Sequence, residues 1–380
     1  NPLRAHPRGP RSREQEIAQS KRTILISASG IAACAVAMYG VIKLDVFEAD
    51  TDTDTTSTPT PTNKTSLDGP AGFPSSPSLI QIEGEEAGAS QVSTGTSSVP
   101  YFPSTMRVPA DLDSLSSGAD IKAEKEMEGE EYQLLGLGIR TVSFLGIQVY
   151  VVGMYVAKAD ISELQRRLVR VGVSAREIKA GVEGDEAGGL EKKVGTEVGA
   201  TSLVEMERTA LKELLLDAER GDEVWDAILK TEGLRTAFRI VPTRNTDFLH
   251  LRDGWVRGIT ARAHKYNPRT GGEFADDGFG AAMGEFKGLF GGGQRKNVAK
   301  GQTVVLVRGA KGQLDALVRV APDVPGRYMG RVRDERVSRL VWLNYLAGKG
   351  VSSEGARRSV VDGVMGVVER PVGTVVQKVL

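Results

Sequence analysis

Two neighbouring runs, Tyr132–Phe144 (YQLLGLGIRTVSF) and Ile147–Lys158 (IQVYVVGMYVAK), decide the fold class. The second alternates Ile147, Val149 and Val151 against Gln148, Tyr150 and Val152, and β-branched and aromatic residues dominate it. A two-residue period puts successive side chains on opposite faces of a sheet. Leu145-Gly146 supplies a turn, so the pair predicts an antiparallel hairpin.

Downstream, the pattern predicts helices with a few further strands. Asp160-x-x-Glu163 has the form of a capping box opening a helix to about Val171. Residues 176–200 are rich in Gly and Glu and read as a surface insertion; a second insertion covers about 265–300. Leu203–Ala218, Glu223–Lys230, Thr246–His264 and Phe279–Leu289 have helical patterns, and Arg235–Val241 reads as a strand stopped by Pro242. Thr303–Arg308 and Leu314–Val320 predict a hairpin. Asp334–Ala347 is amphipathic, with Val337, Leu340, Val341 and Tyr345 at core spacing; Gly348 and Gly350 suit its end, and Ser352 or Ser353 starts a last helix to Glu369. Strands early and late with helices grouped between and after them predict an α+β domain, a mostly antiparallel sheet with helices on one face, over residues 105–380.

Upstream the chain changes character. Residues 43–104 are rich in Ser, Thr and Pro, as in Thr51–Thr62 (TDTDTTSTPTPT), and predict a disordered stalk. Residues 23–42 (TILISASGIAACAVAMYGVI) carry no charge. A helix of that length, rising about 1.5 Å per residue, spans a bilayer core of roughly 30 Å, so this run is the expected single transmembrane segment. Residues 1–22 form a basic leader with Arg4, Arg8, Arg11, Arg13, Lys21 and Arg22, whereas Asp45, Glu48, Asp50, Asp52 and Asp54 follow the segment. The basic flank stays on the side of insertion, which sends the large domain across the membrane. An Arg-rich leader predicts the mitochondrial inner membrane, with the N-terminus in the matrix and the domain in the intermembrane space. A type II protein of the secretory pathway is the alternative, and Asn63-Lys64-Thr65 is its glycosylation sequon. Ser29, Ala33 and Ala37 share a helix face, which suits a homodimer or a heterodimer with a paralogue, or simply a small-residue anchor.

Composition narrows the function. Lys+Arg and Asp+Glu both number 49, and the resulting zero net charge argues against nucleic-acid binding. The single cysteine, Cys34, forms no disulfide within the chain and no multi-cysteine metal site. Gly136-x-Gly138 lacks dinucleotide-site spacing, and Gly291–Gly293 lacks the Gly-Lys-Ser/Thr of a phosphate loop.

The hairpin GLGIRT…GIQVYVVGMYVAK and the C-terminal stretch NYLAGKGVSSEGARRSVVDGVM resemble those of chalcone isomerase, and RIVPTRNTDFLHLRDGWVRG sits where that family has its third strand and pocket helix. The stretch TRNTDFxHLRDGxxR, with the anchor and stalk, is similar to the fungal mitochondrial members, the altered-inheritance-of-mitochondria group. The resemblance covers about residues 130–370. It implies an open-faced sandwich, and it puts Arg140 at the family's cationic position, where a guanidinium holds a phenolate and stabilises the developing enolate. It also puts Phe248 at the family's pocket Tyr, Trp255 near its pocket Asn and Tyr150 near its second-strand Thr. Phe has no hydroxyl and Trp only donates, so the expected pocket keeps the cation and loses the polar relay.

A non-catalytic binder of an apolar anion is therefore expected, with Arg140, Tyr150, Phe248 and Trp255 as ligand-binding residues. Arg140 either faces such a ligand or pairs with a carboxylate. The ligand is either a fatty acid, as some relatives of the fold bind, or haem, with His250 as axial ligand. The alternatives are an active isomerase of the intramolecular lyase type, with Arg140 catalytic, and an inner-membrane scaffold. Arg239, Arg244, Arg252, Arg257, Arg262 and Lys265 form a basic cluster in sequence that either meets anionic lipid or is a solvated face paired with acids.

Overall fold

A computed structural model describes residues 79–80, 91–124, 126–142, 145–179, 202–291 and 297–369. The expected leader, transmembrane segment and most of the first insertion lie outside these residues. The chain divides into units 1–71 and 72–380, and every described residue belongs to the second. Among the described residues no helix is long and apolar enough to cross a membrane.

The described chain opens with short strands: β1 (Leu79–Ile80), β2 (Gln91–Ser93), β3 (Tyr101–Pro103), β4 (Thr105–Pro109) and β5 (Asp120–Ile121). The expected hairpin follows as β6 (Gly129–Val142) and β7 (Ile147–Ala157), and Gly146 takes a positive φ of 64° at its turn. Helices α1 (Ile161–Lys179), α2 (Glu205–Leu216) and α3 (Gly221–Lys230) lead to β8 (Thr236–Pro242) and β9 (Thr246–Asp247). Next come α4 (Phe248–Tyr266), α5 (Asp277–Leu289), β10 (Asn297–Val298), β11 (Thr303–Arg308), β12 (Leu314–Arg319) and β13 (Gly326–Val332). Helices α6 (Glu335–Leu346) and α7 (Glu354–Val368) close the fold.

Eight strands form one sheet in the order β4-β6-β7-β8-β11-β12-β13-β5. Every neighbouring pair in it is antiparallel. Its alternating side chains serve two cores. Tyr150, Val152, Met154 and Val156 of β7 and Phe238 and Ile240 of β8 pack with the helices. Val151, Tyr155, Ala157, Ala237 and Val241 point the other way, to Val99, Phe102, Met106, Val108 and Leu112.

That second core corrects the expected domain start. Residues 91–103 were expected to belong to the stalk, yet β2 and β3 lie there and Phe102 is 1% exposed. A few apolar residues spaced to cover one sheet face are enough to order a segment whose average composition is polar. Strand β13 (GRYMGRV) had no expectation, because arginines and glycines mask its alternation of buried Gly326, Tyr328, Gly330 and Val332. The capping box at Asp160 also fails. The Asp160 carboxylate instead accepts from the Arg235 backbone N–H at 2.8 Å and from its guanidinium.

The GLG motif positions the functional end of β6. A Cβ on Gly136 would lie 2.3 Å from the backbone of Ser359 and Val360, and one on Gly138 2.2 Å from Ala356 N. A Cβ on Gly363 would meet Leu135 O at 1.7 Å. Helix α7 and β6 thus touch backbone to backbone, which only glycine allows. Two side-chain bonds fix the register: Ser359 Oγ accepts from Leu137 N–H at 3.0 Å, and Ser353 Oγ donates to Ile139 O at 2.8 Å. Ser353 is also the N-cap of α7, accepting from Ala356 N–H.

Candidate functional site

Arg140 sits beyond this contact, where the pairing of β6 with β7 shifts register between Arg140 and Thr141. Such a bulge bends a strand and re-aims its side chains. Arg140 pairs across the ladder with Tyr150, and its guanidinium carbon lies 5.9 Å from the Tyr150 ring centroid. Its Nη1 donates to Ser352 O at 3.0 Å. Ser352 is held by Asn344, whose carbonyl accepts from Ser352 N–H at 2.8 Å and whose amide donates to Ser352 Oγ at 2.9 Å. Arg140 is half-buried, and no acid pairs with it among the described residues.

Behind the guanidinium lies a polar chain in an aromatic layer. The Tyr150 and Tyr345 hydroxyls are 2.8 Å apart, and Trp255 Nε1 donates to the Tyr345 hydroxyl at 2.8 Å. Burial pushes both phenols above their ordinary range, so they remain protonated at neutral pH and serve as hydrogen-bonding groups rather than bases. Tyr345 stacks on Phe238 at 4.6 Å, and Trp255 packs on Phe290 at 5.1 Å and on the edge of Phe286 at 6.3 Å. Phe248 joins the layer through Phe290 at 6.0 Å.

Of the residues singled out from sequence, Arg140, Tyr150 and Trp255 are thus linked by direct contacts and through Tyr345, and Phe248 lies in the adjoining aromatic layer. A buried polar chain exists, built from the expected Tyr150 and Trp255 with Tyr345 between them. Tyr345, Asn344 and Ser352 were not singled out for the site. Their signal was a hydroxyl and an amide on an otherwise apolar helix face, followed by a short linker. Behind Arg140, the Tyr150, Tyr345, Phe238 and Trp255 side chains are buried and packed against one another or against Phe290.

His250 does not join this cluster. It is exposed on the first turn of α4, where its backbone N–H donates to the capping Asp247 carboxylate at 2.8 Å, while Phe248 and Leu251 face inward. An axial haem ligand has to face an enclosed apolar pocket, and this imidazole does not fit that need. Among the described residues no group of His, Cys, Asp or Glu is placed to hold a metal ion.

The basic cluster read from sequence is dispersed by the fold. Arg262 is buried, donating to Asp222 Oδ1 at 2.9 Å and to Ala347 O at 2.6 Å, and Lys265 pairs with the same Asp222. Arg239 is buried in the face covered by β3 and β4. Arg244 and Arg257 remain exposed.

The family model described as chalcone isomerase like matches residues 130–361. A Debaryomyces hansenii protein named altered inheritance of mitochondria protein 18, mitochondrial, is 30% identical over 247 residues, 65% of this chain and 71% of the relative. Its Eremothecium gossypii namesake is 29% identical over 240 residues, 62% and 67% of the two chains. An uncharacterised Schizosaccharomyces pombe protein is 29% identical over 233 residues, 61% and 70%. Among solved structures, an Arabidopsis thaliana fatty-acid binding protein matches 66% of this chain and 100% of its own with 16% identity and a TM-score of 0.41.

Proposed function

This chain belongs to the chalcone isomerase-like family, and from that premise we propose that it is a membrane-anchored mitochondrial member that binds an apolar anion at Arg140 without catalysis. The observation that carries the reading is Arg140 itself. A half-buried guanidinium with one carbonyl partner and no acid among the described residues has donors and charge to offer an anion. A carboxylate is the matching head group, because its two oxygens meet the planar donor fork. The aromatic layer of Phe248, Trp255, Phe286 and Phe290 supplies apolar surface for the rest of the ligand.

Two features support a non-catalytic role. The tyrosines beside Arg140 are held protonated by burial, so neither is a base for deprotonating a substrate at neutral pH. Their hydroxyls are also already engaged with each other and with Trp255. The mitochondrial assignment draws on the relatives' names, and the uncharged run 23–42 with its basic leader supports an inner-membrane anchor with the domain in the intermembrane space.

The test is native mass spectrometry and an absorption spectrum of the full chain purified in mild detergent. A co-purifying long-chain carboxylic acid, absent from Arg140→Ala of unchanged circular dichroism, is the expected result. A wild type that neither carries nor takes up such an acid overturns the binder reading. Arg140-dependent turnover of a chalcone would replace it with the isomerase, and a Soret band lost in His250→Ala would restore haem.

A further inference from the structure

The face of the sheet opposite the helices holds a second, separate concentration of positive charge. Arg239 of β8 and Arg319 at the end of β12 are both buried, their side chains 9% and 10% exposed. Among the described residues one acid faces them: Glu124 Oε2 lies 3.8 Å from Arg239 Nη1 and 3.7 Å from Arg319 Nη1. Both distances exceed hydrogen-bond length. Glu124 Oε1 is engaged elsewhere, accepting from the Arg107 backbone N–H at 2.9 Å. Two guanidiniums therefore share one loosely placed carboxylate.

The remaining contacts do not neutralise the excess. Arg319 donates to Pro322 O at 3.3 Å and to Lys122 O at 3.2 Å, and Arg239 lies over the Phe102 ring at 5.6 Å. Arg239 Nε is buried with no hydrogen-bond partner. Between these groups lies a cleft of about 30 Å³, bordered by Arg239, Arg319, Glu124, Thr303, Met106 and Val108 among others. Its volume admits about two water molecules, and an organic acid with a tail does not fit.

We propose that this cleft is a binding site for a small, weakly hydrated monovalent anion of the halide class, held between Arg239 and Arg319 beneath the N-terminal strands. The anion completes the charge of the trio, two cations against one acid, and gives the free Nε–H an acceptor. Apolar neighbours such as Met106 and Val108 favour a polarisable, readily dehydrated ion over a dianion such as sulfate. Burial pushes the Arg319 guanidinium downward, in keeping with a cation short of counter-charge. The site stands apart from Arg140: it lies on the other face of the sheet and does not depend on the ligand proposed there.

The experiment is thermal unfolding of the full chain in detergent, dialysed into sodium gluconate and titrated with sodium chloride or bromide at constant ionic strength. A saturable rise of the midpoint with either halide is expected. It should be absent in Arg319→Met, where Arg239 and Glu124 balance, and unchanged in Arg140→Ala. Glu124→Gln removes the competing acid, so its half-saturating chloride concentration should fall about fivefold or more, given the strength of charge interactions at about 4 Å. If halide and gluconate curves coincide in both wild type and Glu124→Gln, the cleft holds water alone and the proposal fails. A halide effect that survives in Arg319→Met also overturns it. Should Arg319→Met not fold, Glu124→Gln by itself decides between the two outcomes.

Discussion

Arg140 and Arg339 both lie among apolar residues of the same domain, and their surroundings are opposite. Arg339 is 1% exposed and meets three acids: Asp226 at 2.7 Å, Glu335 at 3.0 Å and Glu273. Its guanidinium also lies 5.4 Å from the Phe274 ring centroid, which adds a cation–π contact. Among the described residues Arg140 has one carbonyl, one ring and no acid. A guanidinium that ties α6 to α3 and to the loop before α5 is neutralised by its own chain. A guanidinium set at a bulge beside buried hydroxyls is left with charge to spare. Burial of an arginine therefore says little about its role until its acids are counted.

The comparison can be broken most directly at Arg339. Arg339→Met strands Asp226, Glu273 and Glu335 and should cost about 3–5 kcal/mol, read from urea unfolding. Arg140→Met should change stability by no more than about 1 kcal/mol, since it loses one hydrogen bond and relieves an uncompensated charge, while abolishing uptake of a long-chain carboxylate. The reverse ranking would mean that Arg140 is the structural residue. Gly138→Ala comes next. Its new methyl meets Ala356 N, so α7 must shift, at a cost of about 1–3 kcal/mol, and carboxylate uptake should weaken because Ser352 moves with the helix. Tyr345→Phe leaves the Trp255 indole N–H without its acceptor and should cost about 1–3 kcal/mol, with blue-shifted tryptophan emission as a local signature.

The smallest effect concerns an exposed acid. Hydrogen bonds from Arg336 and from Phe279 N–H hold the Asp276 carboxyl below its ordinary range. A depressed folded pKa contributes stability that is complete above the unfolded value and is lost as the pH falls through the lower, folded value. Asp276→Asn should therefore be slightly less stable than wild type at pH 7, and the two should converge once acid protonates the folded Asp276 carboxyl. Stability curves at several pH values check this, and divergence on acidification would reverse the sign.

The hairpin at residues 132–158 was legible because its period-2 pattern is strong and both strands have one face in each core. The late helices were legible for a similar reason, and the caps at Asp334 and Ser353 agree with the expected starts of α6 and α7 within a residue. The cover over the second face was not, because its apolar residues, Val92, Val99 and Phe102, are diluted by Ser, Thr and Pro. At the site, family resemblance pointed to Arg140, Tyr150 and Trp255, while Tyr345 was read only as core. A buried tyrosine shows the same periodicity as a leucine, and only three-dimensional neighbours reveal that its hydroxyl links two others. The pairing of each arginine with acids was equally hidden, since Arg339 takes Asp226 from 113 residues away.

The glycine contact between β6 and α7 has a consequence for how the chain is made. The bond from Leu137 to Ser359 joins residues 222 positions apart, and the contact of Arg140 with Ser352 closes a loop almost as long. A strand near the start of the sheet is clamped by the last described helix, so its packing cannot be completed until nearly the whole domain has been synthesised. Until residues 354–368 are made, β6 and β7 lack the helix that covers one of their faces. The contact of Arg140 with Ser352 is therefore among the last to form, so uptake of the proposed ligand there would report that the domain is whole.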